Sequence, residues 1–191
     1  TSRAISDCKR ALTNTSTTGS YSAQLTTKNG TTAVDSAVSA SITITGGTLT
    51  TPVWSISNTG KGATGVTYTY TFKTATTATL SSVTMTVPPG TGGTPALGTV
   101  GGVPSGGTIA LASNTLTYSF SGTSVASGTS VSIHVTGLTN TSTAGSYTSQ
   151  LTTVASSTPI DTGLTSAVSI TGGALSSPIW TVSASTSTVT T

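Results

Sequence analysis

The sequence predicts an all-β protein in which a β-sandwich recurs as a tandem repeat of about 126 residues. Residues 12–27, LTNTSTTGSYSAQLTT, return almost unchanged as LTNTSTAGSYTSQLTT at residues 138–153, and the same shift relates Trp54 to Trp180. Apolar residues alternate with threonine and serine in several short segments, which is the pattern of half-buried strands. No segment has a sustained helical periodicity and β-branched residues dominate, so we expect essentially no helix. The period is typical of a self-contained domain and too long for one turn of a solenoid.

The alternating segments define the strands of one unit. Residues 66–72 read VTYTYTF, which places the valine, both tyrosines and the phenylalanine on one face and the threonines on the other. Glycine and proline are so dense in residues 88–107 that we expect a long surface connection, in which only residues 97–100 pair briefly with a sheet. Further strands are expected at residues 80–87, 108–111, 115–120, 130–136, 146–153 and 164–170, which gives a sandwich of seven to nine strands.

Counted from Trp54, the period divides the chain into three parts. Residues 54–179 form one complete unit, and residues 1–53 carry only the C-terminal part of a preceding unit. Residues 180–191 are expected to be the first strand of a following unit, or a donated or linking strand. Both Trp54 and Trp180 are expected to fill the core or its edge, because an indole is a large apolar side chain.

The N-terminal part is expected to be an incomplete sandwich. Residues 1–11 depart from the repeat and place Asp7 where Ile133 stands one period later. A half-sandwich with unpaired strands exposes apolar surface and backbone donors, which favours edge-to-edge pairing. We therefore expect a strand of another copy, either residues 180–191 or the N-terminal segment, to complete it by strand addition. The alternative is that the chain is a window cut from a longer array.

Composition argues against several classes of protein. Serine and threonine make up about 40% of the chain, charged residues only 5%, and glutamate is absent. The net charge of +3 is not gathered into a basic face with stacking aromatic residues, so nucleic acid is not an expected partner. No apolar run is long enough for a membrane span, and no signal peptide precedes the repeat, so a secreted chain would be present here in processed form. The single cysteine, Cys8, excludes an intrachain disulfide and leaves an intermolecular one open.

The sequence contains no recognisable catalytic, cofactor-binding or metal-binding residues, so we do not expect an enzyme. His134, the only histidine, lies in an alternating strand on the side opposite the apolar residues, where a solvent-facing role is expected. A hydrolytic triad, a carboxylate pair or a calcium site needs several suitable groups close together, whereas Asp161 is the only acid of the complete unit. The glycine-rich residues 90–93 and 101–107 precede no helix that could hold a phosphate.

Asp35 and Asp161 occupy the same position of the repeat and are the best candidates for a special role. The expected role is that of a turn aspartate that accepts hydrogen bonds from backbone amides. A second hypothesis is an internal crosslink, in which Lys73 at a strand end joins an asparagine beside a buried acid. Such a bond would appear in denaturing mass spectrometry as the loss of ammonia or water.

Two segments of the unit resemble a known family. Residues 55–72, SISNTGKGATGVTYTYTF, followed by LSSVTMTVPPGTGG at residues 80–93, are similar to the opening of immunoglobulin-like repeats in bacterial surface and secreted proteins. The shared features are N-T-G and V-T-Y-T before a strand that ends in V-P-x-G. The resemblance implies an immunoglobulin-like β-sandwich that serves as a spacer, stalk, adhesin or filament module. It implies no catalytic residues, because the family shares none.

Together these features favour a structural subunit of an extracellular filament, stalk or surface layer, assembled end to end from copies of itself. Covalent glycans are a further candidate partner, since Asn14, Asn29 and Asn140 each begin an N-x-S/T pattern. The alternative is a cell-surface adhesin repeat that binds carbohydrate or a protein ligand through residues 88–107 or through exposed rows of threonine. A third interpretation is a carbohydrate-binding appendage of a secreted enzyme.

Overall fold

The computed structural model describes residues 19–173 and 179–181 of the chain. Within these ranges the chain forms β-strands and no helix, which confirms the all-β expectation. The strands, numbered in chain order, are β1 (Gly19–Tyr21), β2 (Gln24–Asn29), β3 (Thr32–Val38), β4 (Ile42–Ile44), β5 (Gly47–Thr48), β6 (Thr50–Ile56), β7 (Val66–Lys73), β8 (Ala78–Thr86), β9 (Gly92–Gly101), β10 (Thr108–Ala112), β11 (Thr115–Val125), β12 (Ser130–Thr139), β13 (Gly145–Tyr147), β14 (Gln150–Ala155), β15 (Thr158–Leu164) and β16 (Val168–Ile170).

Two sheets enclose the main core. One has six strands in the order β10-β11-β8-β14-β15-β5, and the other has four strands in the order β6-β7-β12-β9. The pairings in both sheets are antiparallel, except that β15 pairs with β5 in parallel. Apolar side chains of both sheets meet in a single buried cluster. The strands from β5 to β16 therefore have the two-layer arrangement of a β-sandwich.

Strict alternation along β7 builds the centre of this core. Tyr68 and Tyr70 are completely buried, and Val66 and Phe72 nearly so, while the threonines between them lie on the outer side. Successive side chains of a strand point to opposite faces, so the apolar residues of β7 all reach the same interior. The same alternation in β8, β11 and β12 supplies most of the remaining core residues: Leu80, Val83, Met85, Leu116, Tyr118, Val131, Ile133 and Val135.

A strand lies where the sequence predicted a surface connection. β9 runs for ten residues along β12 at the edge of the four-stranded sheet, so the brief pairing expected at residues 97–100 was too short. Backbone contact explains the difference, because β9 approaches β12 so closely that a Cβ on Gly93 would lie 2.4 Å from the Gly137 carbonyl oxygen. Pro95, which has no amide hydrogen, is tolerated because only some of the amides of an edge strand donate hydrogen bonds to the neighbouring strand.

The C-terminal strands also differ from the expected boundaries. Residues 146–153 divide between β13 and β14, and residues 164–170 divide between the end of β15 and β16. β15 itself was not expected, because proline and aspartate interrupt its apolar pattern and the pairing with β14 contains a bulge. Asp161 therefore lies in a strand between β14 and β5, not in a turn.

The first four strands pair in the same register as the last four. Gly19 lies opposite Ile44 in the β1-β4 pair, and the residues 126 positions later, Gly145 and Ile170, lie opposite each other in the β13-β16 pair. The β2-β3 and β14-β15 hairpins share their register in the same way, including a bulge at the same position. Two segments of similar sequence thus form the same strand pairs.

The sandwich begins before Trp54. β5 pairs with β15, and the amide of Leu49 donates to the carbonyl of Thr162 at 2.8 Å. The Leu49 side chain is buried in the core together with Trp54. The boundary placed at Trp54 from the sequence therefore falls inside the sandwich, whose strands run from β5 to β16.

The two tryptophans have different surroundings. Trp54 is 3% exposed and its ring packs against Tyr68 and Tyr70, with centroid distances of 5.4 Å and 6.4 Å. Trp180 is 87% exposed, so the core role expected for it is wrong for this chain. The two tyrosines that pack on Trp54 belong to β7, and no described residue takes their place beside Trp180.

Candidate functional site

The strongest candidate site is the side of the β2-β3 hairpin that corresponds to a core-facing surface in the sandwich. It consists of Leu25, Thr27, Val34, Asp35 and Ala37, and we call it the inner face. Leu25 lies opposite Ala37 and Thr27 opposite Asp35, so these side chains share one side of the hairpin. Their counterparts one period later all belong to β14 and β15 and are all buried.

Burial distinguishes the inner face from its counterpart. Leu25 is 60% exposed, whereas Leu151, at the same position of the second hairpin, is 0% exposed. Val34 and Ile160 differ in the same way. Since the two hairpins share sequence and register, the difference in burial comes from the strands that lie beside them.

In the sandwich, β8 is the strand beside the corresponding edge. It pairs with β14, placing Met85 opposite Leu151 and Val83 opposite Thr153, and both of these β8 side chains are buried. Among the described residues, β2 pairs with β3 alone, so no strand occupies the place of β8. The second edge of β2 is consequently a template for another strand.

An open depression of about 460 Å³ adjoins the inner face where β1 meets β4. Its apolar lining includes Tyr21, Ala23, Ile42 and Ile44. In the sandwich the corresponding region is in contact with other segments, since the hydroxyl of Ser149, the counterpart of Ala23, donates to the Thr86 carbonyl at 2.7 Å. The depression is therefore part of the same uncovered surface.

The two repeated aspartates, Asp161 and Asp35, accept hydrogen bonds from different kinds of donor. The Oδ2 atom of Asp161 accepts hydrogen bonds from the amides of Ala75 and Thr76, at 3.0 Å and 3.1 Å. Asp35 is exposed and accepts a hydrogen bond from the hydroxyl of Thr27 at 3.0 Å. The expected binding of backbone amides is thus found for Asp161, because the loop after β7 reaches it, and no described residue brings such a loop to Asp35.

The structure separates Lys73 from one candidate asparagine of the crosslink hypothesis, Asn140. Lys73 is exposed at the end of β7, opposite Ser130 and Thr50. The buried Asn140 accepts a hydrogen bond from the hydroxyl of Tyr68. Tyr68 precedes Lys73 by five positions on β7, which corresponds to about 17 Å at the rise of a β-strand. Lys73 and this asparagine are therefore too far apart to be joined.

Only one of the three glycosylation patterns has an asparagine that is available in the described structure. The amide nitrogen of Asn140 donates to the carbonyls of Asn58 and Gly60 at 2.7 Å and 2.8 Å, and its side chain is buried, so the folded protein cannot carry a glycan there. Asn29 is exposed at the turn of the β2-β3 hairpin. Asn14 lies outside the described residues.

His134 lies on the outer side of β12, as its place in the alternation predicted. It is half-buried, and its Nδ1 atom lies 3.2 Å from the hydroxyl oxygen of Thr69 on β7. Within residues 19–173 and 179–181, no group of three or more histidine, cysteine, aspartate and glutamate side chains could hold a metal ion. Cys8 is not among these residues. The same part of the chain forms no helix that could cross a membrane.

Two core tyrosines have displaced pKa values. Burial raises the pKa of Tyr70 well above the ordinary value of a tyrosine, and the nearby Tyr68 raises it further. Burial also raises the pKa of Tyr68, whose hydroxyl donates to Oδ1 of Asn140 at 2.9 Å. The Tyr70 hydroxyl has no hydrogen-bond partner among the described residues. Burial therefore favours the neutral form of both side chains in the folded sandwich.

We expect the sandwich to lose stability as the pH rises above about 10, because the tyrosines ionise there in the unfolded chain but remain neutral in the folded one. Their contribution is fully present below pH 10 and falls by about 1.4 kcal/mol per pH unit for each tyrosine between its unfolded and folded pKa values. Urea unfolding between pH 8 and about 11.5 measures this slope. Tyr70→Phe should make the slope shallower, because it removes one of the two ionising groups, and an unchanged slope would contradict the assignment.

Comparisons with protein-family models, with curated proteins and with solved structures give no significant match to this chain.

Proposed function

We propose that this protein is a structural subunit of an extracellular filament, stalk or surface layer, built from tandem immunoglobulin-like sandwiches that associate end to end. The observation that carries the proposal is the contrast between two hairpins of matching register, one fully covered and one with its inner face exposed. The inner face has the sequence of a sandwich interior, so it is suited to burial beneath another strand. Association between copies supplies that cover.

Energetics favour association over leaving the inner face in water. Burying a side chain such as Leu25 or Val34 contributes about 1.5–3 kcal/mol. The free edge of β2 adds backbone hydrogen bonds when a strand is added. Because the exposed hairpin precedes the sandwich and Trp180 follows it, a contact between these two ends is head to tail and generates an open chain of subunits when it does not close into a ring.

The side chains best suited to acid–base chemistry are engaged in structural contacts. This supports a role other than catalysis. Asp161 holds the loop after β7 through two backbone amides. His134 and Thr69 join neighbouring strands on the outer side of the sheet. Half of residues 88–107, which the adhesin alternative assigned to a binding loop, belong to β9.

Sedimentation velocity of the full chain from about 1 μM to 1 mM, with electron microscopy of the same samples, tests the proposal. We expect a concentration-dependent series of oligomers that ends in fibres or sheets without added ligand. A single species of 18.6 kDa over the whole range would contradict it. Specific, saturable binding on a glycan array by such a monomer would favour the adhesin instead.

A further inference from the structure

We propose that residues 180–191 of a second copy are the strand that covers the inner face, pairing along the free edge of β2 in the place that β8 takes beside β14. This inference rests on the proposed function, since it names the two surfaces through which copies associate. It also distinguishes between two interpretations of the C-terminal segment, the start of another unit and a donated strand.

The C-terminal segment keeps the repeat only as far as Ser183. The counterpart of residues 183–191 in the sandwich is the segment 57–65, SNTGKGATG, whereas the C-terminal segment reads SASTSTVTT. Gly62 and Gly65 have φ angles of +66° and +67°, and threonines stand at their positions one period later. A β-branched residue is strongly disfavoured at positive φ. The C-terminal segment therefore lacks the sequence for this loop.

The turn that begins this loop is lost as well. The side-chain oxygen of Asn58 accepts a hydrogen bond from the amide of Gly60 at 2.8 Å. One period later Ala184 and Thr186 occupy these positions, so neither the acceptor nor the glycine remains. Segment 180–191 contains no glycine, proline or charged residue and is rich in β-branched residues. This composition favours an extended strand.

The apolar pattern of the segment suits a strand with one buried face. Trp180, Val182 and Ala184 alternate with Thr181 and Ser183, so the three apolar residues share a side. β8 presents the same arrangement to the interior of the sandwich, where its buried residues alternate with less buried ones. Trp180 is exposed in the single chain, so its indole is available to a second copy.

The sequence of the N-terminal flank is poorly suited to supply the missing cover. In the sandwich, Val131, Ile133 and Val135 of β12 point into the core. Residues 5, 7 and 9, one period earlier, are isoleucine, aspartate and lysine. Charged side chains in these positions oppose burial against an apolar face. The sequence therefore departs from the repeat on both flanks of the described strands.

Of the two edges of the hairpin, that of β2 is the better receptor. The edge of β3 corresponds to that of β15, which pairs with β5. A Cβ added to Gly163 of β15 would lie 2.8 Å from the Cβ of Leu49, and Ala37 of β3 carries such a Cβ. A segment that docked as residues 47–49 do would therefore collide with β3. No such collision is present at the β2 edge, where leucine and threonine are retained at the two core-facing positions, Leu25 and Thr27.

A pair of donor variants tests the strand assignment in the full chain. Val182→Asp places a charge on the buried side of the donated strand, and Ser183→Asp places the same charge on its outer side. We expect the first to weaken association at least about 100-fold and the second to stay within about threefold of the parent, because an unpaired buried charge is strongly disfavoured. Neither residue belongs to the β5–β16 sandwich, whose thermal unfolding serves as the folding control.

A matched pair tests the receptor. Leu25→Asp should weaken association to the same extent, because Leu25 corresponds to the fully buried Leu151. Val38→Asp should leave association within about threefold of the parent value, because Val38 is 67% exposed and its counterpart Leu164 is also exposed, at 59%. Both substitutions replace a large exposed apolar residue on the same hairpin, so a general effect of added charge would appear equally in both.

Mixing the two defective chains gives the most specific readout. A Leu25→Asp chain keeps an intact donor and a Val182→Asp chain keeps an intact receptor, so a mixture should form a one-to-one dimer and nothing longer. Trp180 fluorescence should shift to the blue in that dimer as the indole leaves water. Assembly of the parent chain with unaffected Val182→Asp overturns the donor assignment and leaves the proposed function standing. A parent chain that stays monomeric contradicts both.

Discussion

Trp54→Ala is expected to lower the free energy of unfolding of the sandwich by about 3–5 kcal/mol. The indole is almost fully buried and packs against both Tyr68 and Tyr70, so its loss leaves a large cavity in the core. Trp180→Ala, at the same position of the repeat, should change the stability by less than about 0.5 kcal/mol because that side chain is exposed. Urea unfolding followed by circular dichroism measures both changes.

The comparison between the two tryptophans controls for residue type and for local sequence. It also separates stability from association, since Trp180→Ala should weaken the contact between copies while the unfolding midpoint of the isolated chain stays the same. Equal stability losses for both variants would mean that Trp180 packs in the core of its own chain. That result would contradict the exposure described above.

Asp161→Ala is expected to destabilise the sandwich by about 3 kcal/mol, whereas Asp35→Ala should cost less than about 0.5 kcal/mol. Removing the Asp161 carboxylate leaves the amides of Ala75 and Thr76 without their acceptor in a buried site. Hydrogen bonds to a charged acceptor are worth more than neutral ones, and an orphaned buried donor carries its full desolvation cost. Asp35 is exposed, so water replaces its single side-chain contact.

Chemical unfolding of the two alanine variants at neutral pH measures this difference. Gly47→Ala provides an independent check, because its added Cβ would lie 2.2 Å from Oδ1 of Asp161 and should also destabilise the sandwich. A small effect of both Gly47→Ala and Asp161→Ala would show that the carboxylate does not hold the loop after β7. In that case the two repeated aspartates would have equivalent roles.

Strands with one buried face were predictable from the sequence. β7, β8, β11 and β12 alternate apolar and polar residues, and each lies close to where the alternation placed it. The alternation identifies them because a residue's direction from a strand depends only on its place in the sequence. The core roles of Trp54 and Tyr68 follow from the same rule.

Strands held by backbone contacts were not predictable in this way. β9 is rich in glycine, and β15 contains proline and a buried aspartate, so neither has an apolar alternation to recognise. Their positions depend on neighbours far away in the chain: β12 for β9, and β14 and β5 for β15. Close approach of two backbones is a property of the assembled sheet and leaves only a weak signal, the spacing of the glycines.

The candidate site was only partly evident before the structure. Comparing the two copies of the repeat located the N-terminal segment as the second occurrence of the hairpin sequence, outside the unit counted from Trp54. The sequence did not indicate which side of that segment is exposed or which edge is free. Those features follow from the pairing of β14 with β8 and from the burial of Leu151, both of which involve residues more than sixty positions apart.

The sequence by itself determined the all-β class, the 126-residue spacing of the two similar segments and the identity of most core residues. These properties are local, since they depend on alternation and on recurrence along one chain. The tertiary structure alone decided that Leu25 is exposed while Leu151 is buried, and that Asp161 binds a distant loop while Asp35 does not. Identical side chains acquire different roles because burial is set by the strands packed against them, and in the part of the chain that the structure describes those strands lie beside one hairpin only.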